Sequence, residues 1–167
     1  LFESTKKGGV LSECQSYRYR LWRIWDEIKP RVMFIMLNPS TADAYKDDPT
    51  IRRCIGFAKS WGFGGLYVGN IFAYRSTQPK GLLESNDAVG IDNNYHLQEM
   101  SKECEIAICA WGNSPILSKM KPKHEPLKYV CIPLHYIELS KNGTPKHPLY
   151  LKSELKPVNQ IFSKRLI

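Results

Sequence analysis

An apolar run at residues 32–37 ends abruptly in a polar turn, Asn38-Pro39-Ser40-Thr41, and an acid, Asp43, follows closely. The run predicts a β-strand, and the turn marks the point where that strand leaves the protein core. In open α/β sheets, ligands bind just beyond the carboxyl ends of strands, where turns present side chains and free backbone N–H groups. This junction therefore predicts both an α/β fold and the position of a site within it.

Strand-like and helix-like segments alternate along the rest of the chain. Asp48 and Pro49 are typical first residues of a helix, and apolar residues recur at helical spacing from there to Trp61. The first two predicted strands are expected to pair as a hairpin. The predicted strands are residues 17–25, 32–37, 66–72, 105–110 and 128–133, and the predicted helices are residues 51–61, 91–104, a short segment ending near Met120, and 153–164.

This alternation predicts a three-layer α/β/α sandwich around a mostly parallel sheet, because strand–helix–strand units bury a parallel sheet between helical layers. The length of 167 residues fits a single domain with a proper core. We expect that domain to span residues 1–167, with an irregular segment at residues 1–15.

The chain is strongly basic, with 24 Lys and Arg residues against 16 Asp and Glu residues and a net charge of +8. A positive surface favours polyanionic partners, through counterion release and long-range attraction. A surplus of lysine that only keeps the surface soluble is the other interpretation, and charge alone leaves both open. The arginines concentrate in the first half of the chain, near the strand–turn junction.

The five cysteines and four histidines show none of the spacings typical of a metal or iron–sulfur site. There is no CxxC pair, and three of the cysteines lie in apolar runs, where a reduced thiol packs as a small hydrophobic group. We therefore expect no metal and no cofactor. The sequence also has no signal peptide and no apolar run of about 18 residues, which predicts a cytoplasmic protein without membrane contact.

Polar side chains after the first apolar strand are candidates for acting on a ligand. The Asn38 amide can hydrogen-bond a substrate or hold a water molecule, or it can cap its own backbone in an Asx turn. Three nearby aspartates, Asp43, Asp47 and Asp48, can each supply a carboxylate, which acts as a general base only with suitable geometry and pKa. Asp48 is also expected to cap the following helix.

Three later segments place polar or aromatic residues at a strand end or in the loop behind it. Asn70 can read a base edge and Arg75 can bind phosphate, although a buried amide that ties loops together explains Asn70 equally well. Trp111-Gly112-Asn113 offers an aromatic face and room for close backbone approach, while a core tryptophan is the plainer interpretation. His147 can donate to a developing anion or lie on the surface. All of these turns are expected at one edge of the sheet.

Taken in order, these segments resemble the motifs of the uracil-DNA glycosylase superfamily. The residues that carry the resemblance are Leu37-Asn38-Pro39-Ser40, Gly69-Asn70-Ile71-Phe72-Ala73-Tyr74-Arg75, Ala110-Trp111-Gly112-Asn113 and His147-Pro148-Leu149. The chain resembles more closely a bacterial and phage family, domain-of-unknown-function family 1643, through residues 37–43, 48–51, 61–64, 70–75 and 143–150. That resemblance covers residues 17–151, and it implies a uracil-DNA glycosylase-like fold.

The resemblance also implies roles for individual residues. Asn38 would position water or stabilise the sugar cation, and His147 would stabilise the departing base as its glycosidic bond breaks. Asn70 would read a base edge, and Phe72 or Tyr45 would stack on the base.

The leading prediction is therefore an N-glycosidase that removes an aberrant or modified base from DNA or from a nucleotide. A second prediction is a non-catalytic module that captures a nucleotide or modified base, for example in phage–host defence or counter-defence. A third is a basic scaffold that contacts nucleic acid only through phosphates. The predicted catalytic residues are Asn38, Asp43 and His147, and the predicted ligand contacts are Pro39, Ser40, Thr41, Tyr45, Asn70, Phe72, Arg75, Trp111, Gly112 and Asn113.

Overall fold

One mixed sheet organises the protein in the computed structural model, which describes residues 4–119 and 125–160. The strands of these residues are β1 (Lys6–Leu11), β2 (Arg18–Ile24), β3 (Arg31–Met36), β4 (Gly65–Asn70), β5 (Ile106–Cys109), β6 (Leu134–Tyr136) and β7 (Val158–Asn159). The α-helices are α1 (Pro49–Ser60) and α2 (Asn93–Lys102), and 3₁₀ turns lie at Pro79–Glu84, Pro115–Ser118, Glu125–Tyr129 and Pro148–Tyr150. No helix in the described part of the chain is long and apolar enough to cross a membrane.

The strand order is β1-β2-β4-β3-β5-β6-β7, and the strand directions separate the middle of the sheet from its flanks. The middle strands β4, β3, β5 and β6 run parallel, whereas the pairs β1–β2, β2–β4 and β6–β7 are antiparallel. The α/β class is confirmed, and the sheet is mixed rather than mostly parallel. The predicted hairpin of the first two strands is wrong, because β4 lies between β2 and β3 and pairs with both.

Alternate residues of β3 point to opposite faces of the sheet, and each face packs against one α-helix. Both faces of this central strand are therefore buried, which explains why its sequence is apolar at every position after the first. The core on the α1 face includes Val32, Phe34, Met36, Ile51, Cys54, Phe57 and Ala58. The core on the α2 face includes Met33, Ile35, Leu97 and Met100.

Helix α1 begins where the sequence predicts. Asp48 is its N-cap, with Oδ1 accepting a hydrogen bond from the backbone N–H of Ile51 at 2.8 Å. Pro49 takes the first helical position, where a missing N–H costs nothing. The first turn of α1 thus follows the turn after β3 and lies beside the carboxyl end of that strand.

The N-terminal residues contain a strand, β1, where the sequence predicts an irregular segment. Their Lys-Lys-Gly-Gly sequence has no apolar alternation, and strand formation here depends on a long-range partner. The ring of Trp22 on β2 occupies the space where Gly8 would carry a Cβ. An aromatic ring over a strand glycine supplies the packing that the glycine lacks.

Three predicted elements in the C-terminal third are wrong. Residues 128–133 are not a strand: a 3₁₀ turn ends at Tyr129, and β6 begins only after Pro133, which has no N–H for a sheet bond. Residues 153–160 contain β7 instead of a helix, since Pro157 cannot donate a helical hydrogen bond, and residues 161–164 lie outside the described chain. The helix predicted to end near Met120 is a 3₁₀ turn at Pro115–Ser118, and Met120 itself is not described.

Candidate functional site

A cavity of about 300 Å³ lies at the edge of the sheet where β4, β3 and β5 reach their carboxyl ends. Residues from the turns after β3 and β5, the last residue of β4 and the first turn of α1 form its wall. The first residue of β2 joins them, because β2 runs antiparallel to β4. Small-molecule pockets range from about 300 to 1,000 Å³, so this one suits a single base or a group of similar size.

Asn70, the last residue of β4, is 1% exposed and lines the cavity. Neither its amide nitrogen Nδ2 nor its oxygen Oδ1 has a hydrogen-bond partner among the described residues. The amide therefore does not tie loops together, which is the alternative that the sequence leaves open for this residue. The residue therefore holds a buried donor and a buried acceptor without partners beside the cavity, at a cost of about 1–3 kcal/mol for each such group.

Arg18 is a second buried polar residue of the wall, with 3% of its surface exposed. Its Nη1 donates to the carbonyl of Ala42 at 2.8 Å, while its Nε has no partner. No carboxylate of the described residues lies within 4.0 Å of its guanidinium. Burial lowers the pKa of Arg18 to about 10, although the more distant Asp48 carboxylate opposes that shift, so the guanidinium remains charged at neutral pH.

His147 reaches the cavity from the loop that follows β6, and one hydrogen bond defines its tautomer. Its Nδ1 accepts from the backbone N–H of Leu149 at 3.2 Å, so the ring proton of the neutral imidazole lies on Nε2. Burial lowers the pKa of His147, with the Asp48 carboxylate opposing the shift. The side chain is therefore a neutral Nε2–H donor, suited to a developing negative charge.

Gly112 brings the His147 loop against the turn that follows β5. Its backbone N–H donates to the carbonyl of Pro145 at 3.0 Å, and its φ of +79° belongs to the left-handed region that favours glycine. A Cβ at this position would lie 3.3 Å from the Cβ of His147. A larger residue would therefore push the histidine away from the cavity.

The Asn38 side chain both stabilises its own turn and is available to a ligand, so both interpretations of the sequence apply to it. Its Nδ2 donates to the carbonyls of Ser76 at 2.9 Å and Pro39 at 3.1 Å, so the side chain clamps its own turn to the segment after β4. Both donor hydrogens are used, and no described residue donates to Oδ1. Since Asn38 also lines the cavity, it offers an acceptor to a ligand or to a water molecule.

The carboxylate that lines the cavity belongs to Asp48 and not to Asp43. Oδ1 of Asp48 caps α1, and Oδ2 accepts from the hydroxyl of Ser40 at 3.3 Å. Asp43 is engaged elsewhere: its Oδ1 accepts from the backbone N–H groups of Tyr45 and Lys46, which stabilises a turn and lowers the pKa of Asp43. Asp43, which the sequence predicts as a catalytic residue, therefore does not line this cavity.

A family model described as protein of unknown function (DUF1643) matches residues 18–149. The chain belongs to this family. The matched segment begins at Arg18 and includes His147, so it contains every cavity residue described above. Comparisons with curated proteins and with solved structures gave no match.

Within the DUF1643 segment, the structure brings together some of the predicted site residues and separates others. Besides Asp43, five other predicted site residues do not line the cavity. Phe72 is fully buried in the core on the α2 face, Tyr45 is 77% exposed, and neither stacks in the cavity. The predicted residues that do line it are Asn38, Ser40, Asn70, Trp111, Gly112, Asn113 and His147, and those that do not are Pro39, Thr41, Asp43, Tyr45, Phe72 and Arg75.

Arg75 lies in a shallow depression next to the cavity. Ser40, Ser76 and Thr77 lie on the walls of both, so the two are adjacent. Nη1 of Arg75 donates to the carbonyl of Gln15 at 3.1 Å, which holds the guanidinium beside this depression.

Sequence reasoning missed several cavity residues, of which Arg18 is the most informative. An arginine between two tyrosines, in a strand that otherwise alternates, is a weak signal that this position differs from its neighbours. Four of the others carry small hydroxyl groups, which are common in turns and at the start of helices and carry little information. They are Thr50, Ser76, Thr77 and Ser114.

Proposed function

We propose that the cavity binds a nucleobase and that the protein is an N-glycosidase acting on a base in DNA or in a nucleotide. The observation that carries this proposal is the Asn70 amide, which is buried at the cavity and has both its donor and its acceptor free. A side-chain amide in this state can form two hydrogen bonds to one base edge. Trp111, 3% exposed on the same wall, adds an aromatic surface against which a base can pack.

The relation to the uracil-DNA glycosylase superfamily belongs to this proposal. All four motifs of the resemblance contribute to one cavity, through Asn38, Asn70, Trp111 and His147. The α-helices on opposite faces of the sheet support the three-layer arrangement that the resemblance implies. An enzyme with such a substrate would work in the cytoplasm, where DNA and nucleotides are found.

The chemistry of the proposal is hydrolysis of the bond between C1′ of the sugar and the base nitrogen. The electron pair of that bond leaves with the base, and His147 stabilises the resulting negative charge by donating from Nε2. Water adds to C1′, where the Asn38 oxygen and the Asp48 carboxylate orient it. The negative charge of Asp48 also stabilises the positive charge that develops on the sugar. The proton lost by the water ends on the released base. In DNA, Arg75 would bind a phosphate in the adjoining depression.

Base release from defined substrates tests this proposal. Single- and double-stranded oligonucleotides with uracil, hypoxanthine or phage-type modified bases, and free nucleotides, are incubated with wild type and the products are separated by chromatography. We expect one base to be released, and a loss of about 10²- to 10³-fold in His147→Ala, because a donor to the anion is removed. His135→Ala, which alters a histidine on β6 outside the cavity, is the matched control and should keep full activity. Release of no base from any substrate contradicts the enzymatic proposal.

A non-catalytic binding protein is the second candidate, and one observation favours it. Asp48, the carboxylate on the cavity wall, already accepts hydrogen bonds from Ile51 and Ser40, which reduces its capacity to act on water. Calorimetry distinguishes the two candidates. Tight binding of a nucleotide without any base release, abolished by Asn70→Ala, would select the binding function.

A further inference from the structure

Arg18 is a charged side chain that the fold buries at the cavity without neutralising it. Its Nε has no partner, and the carboxylate on the same wall, Asp48, lies beyond 4.0 Å and accepts bonds from Ile51 and Ser40. A buried charge is stable only when it is paired and hydrogen-bonded. The missing partner of Arg18 is therefore to be sought in the ligand.

A local irregularity of β2 turns Arg18 toward the cavity. Val10 pairs with Arg20 and Leu11 pairs with Arg18, so Tyr19 is an extra residue between two registers. Arg20 points to the α2 face, where its Nε donates to Nδ1 of His96 at 2.8 Å. Regular alternation would place Arg18 on that same face, and the extra residue moves it to the α1 face. Bulges occur next to active sites, where they redirect a side chain.

The strand order places Arg18 at one end of the cavity. β2 is the neighbour of β4, so Arg18 lies beside Asn70, while Trp111 and the His147 loop lie on the other side, across β3 and β5. Adjacent strands are about 4.8 Å apart, so roughly 14 Å separate β2 from β5 along this edge. A base held by Asn70 and Trp111 therefore has room for a further group that reaches Arg18.

We propose that the ligand carries an oxyanion, a carboxylate or a phosphate, that binds Arg18 at this end of the cavity. The base-binding half of this statement rests on the proposed function, and the anion-binding half rests on Arg18 alone. A guanidinium binds both oxyanions through charge-assisted hydrogen bonds. The oxyanion is either an acidic substituent on the base or the phosphate of a free nucleotide.

Titration calorimetry with matched ligand pairs tests the proposal. Each common nucleoside is compared with its 5′-monophosphate, and each pyrimidine nucleoside with its 5-carboxy derivative, so that the members of a pair differ only in the oxyanion. In wild type, the acidic member of one pair should bind about 10- to 100-fold more tightly, which is the range expected for a charge-assisted hydrogen bond. The pair that shows the preference identifies the source of the oxyanion.

Three variants assign the preference to Arg18. Arg18→Met should abolish it, and Arg18→Lys should keep part of it, because the charge remains while the planar fork is lost. Arg20→Met is the matched control, with the same substitution on the same strand but on the opposite face of the sheet, and should keep the preference in full. Equal binding of both members of every pair by wild type, or an undiminished preference in Arg18→Met, overturns the proposal.

Benzoate and inorganic phosphate separate this proposal from the proposed function. If wild type binds either anion and Arg18→Met does not, while no nucleoside or nucleotide binds and no base is released from DNA, then the anion site stands and base recognition fails. If neutral nucleosides bind as tightly as their acidic partners, base recognition stands and the anion site fails. Binding of none of these probes contradicts the anion site, and release of no base from DNA in addition contradicts both.

Discussion

Strand β2 contains two buried arginines, Arg18 and Arg23, that differ in nearly every contact. Arg23 is fully buried, and its Nε donates to the Asp47 carboxylate at 2.7 Å. Its Nη1 and Nη2 donate to the carbonyls of Ala44 at 3.0 Å and Asp43 at 2.9 Å. Arg18 has the Ala42 carbonyl and no ion pair among the described residues. Both arginine side chains are buried, but within the described chain the fold supplies an ion pair and several hydrogen bonds for Arg23 and a single hydrogen bond for Arg18.

The difference teaches how to distinguish a structural cation from a binding cation. Arg23 holds the segment from Asp43 to Asp47 against β2, so its charge contributes to the fold. Arg18 contributes little of this kind: it lines the cavity, and its buried Nε has no partner among the described residues. A protein keeps such a residue, at the expense of stability, when its partner arrives from outside. Replacement of Arg23 should therefore lower the stability of the fold, whereas replacement of Arg18 should raise the stability and weaken ligand binding.

Arg23→Met should produce the largest effect, a loss of about 3–5 kcal/mol in the free energy of unfolding. The substitution leaves several carbonyls and the Asp47 carboxylate without their donor, and breaking a buried ion pair from one side has a cost of this size. Urea unfolding followed by circular dichroism measures it. A loss below about 1 kcal/mol would mean that Arg23 is as dispensable as Arg18, and the comparison would fail.

Arg18→Met should change stability in the opposite direction, raising the free energy of unfolding by about 1–3 kcal/mol. The lowered pKa of about 10 for Arg18 corresponds to a cost near 3 kcal/mol at neutral pH, where the guanidinium is charged in both the folded and the unfolded chain. Loss of the bond to Ala42 offsets about 1 kcal/mol of the gain. Urea unfolding again measures the change, and a marked loss of stability in Arg18→Met would show that Arg18 has a structural role.

Asn70 and Asn93 extend the comparison to uncharged residues. Asn93 is fully buried, and its Nδ2 donates to the carbonyls of Asn70 at 3.0 Å and Ile71 at 3.3 Å, while its Oδ1 has no partner; in Asn70 neither Nδ2 nor Oδ1 has one among the described residues. Asn70→Leu should therefore stabilise the protein by about 1–2 kcal/mol and abolish nucleobase binding, while Asn93→Leu should destabilise it by a similar amount. Thermal unfolding and calorimetry test the pair. Equal destabilisation by both would remove the distinction.

The features that the sequence predicts correctly depend on local patterns. The apolar run before Asn38, the cap and proline of α1, and the meeting of strand ends at one cavity follow from periodicity and from the geometry of parallel strands. Four residues from distant segments, Asn38, Asn70, Trp111 and His147, could be placed at one edge in this way.

The features that it does not predict depend on pairing between distant segments. The Arg18 side chain points to the cavity because Tyr19 is an extra residue in β2. This irregularity arises from the pairing of β1 with β2 in two registers. Phe72 follows Asn70 by two residues, so strand alternation would place both side chains on the same face of the sheet. Because β4 ends at Asn70, the chain leaves the sheet there, and Phe72 lies in the core on the α2 face. The sequence favours Asp43 as the catalytic carboxylate and Asp48 as a helix cap, but Asp43 binds the turn around Tyr45 and Asp48 lines the cavity.

The smallest effect is expected from His147, whose partner is also supplied by the fold. Its Nδ1 accepts from Leu149, and its folded pKa is lowered below the ordinary value of about 6.5, mainly by burial. The unfolded chain therefore takes up a proton at higher pH than the folded one, so His147 contributes stability above about pH 6.5 that is lost as the pH falls through the folded pKa. His147→Asn keeps an acceptor for Leu149 but does not titrate. Urea unfolding at pH 7.5 and pH 5 should show a steeper fall for wild type than for the variant. Identical slopes would mean that the imidazole is as solvated in the folded protein as in the unfolded chain, and would contradict the prediction.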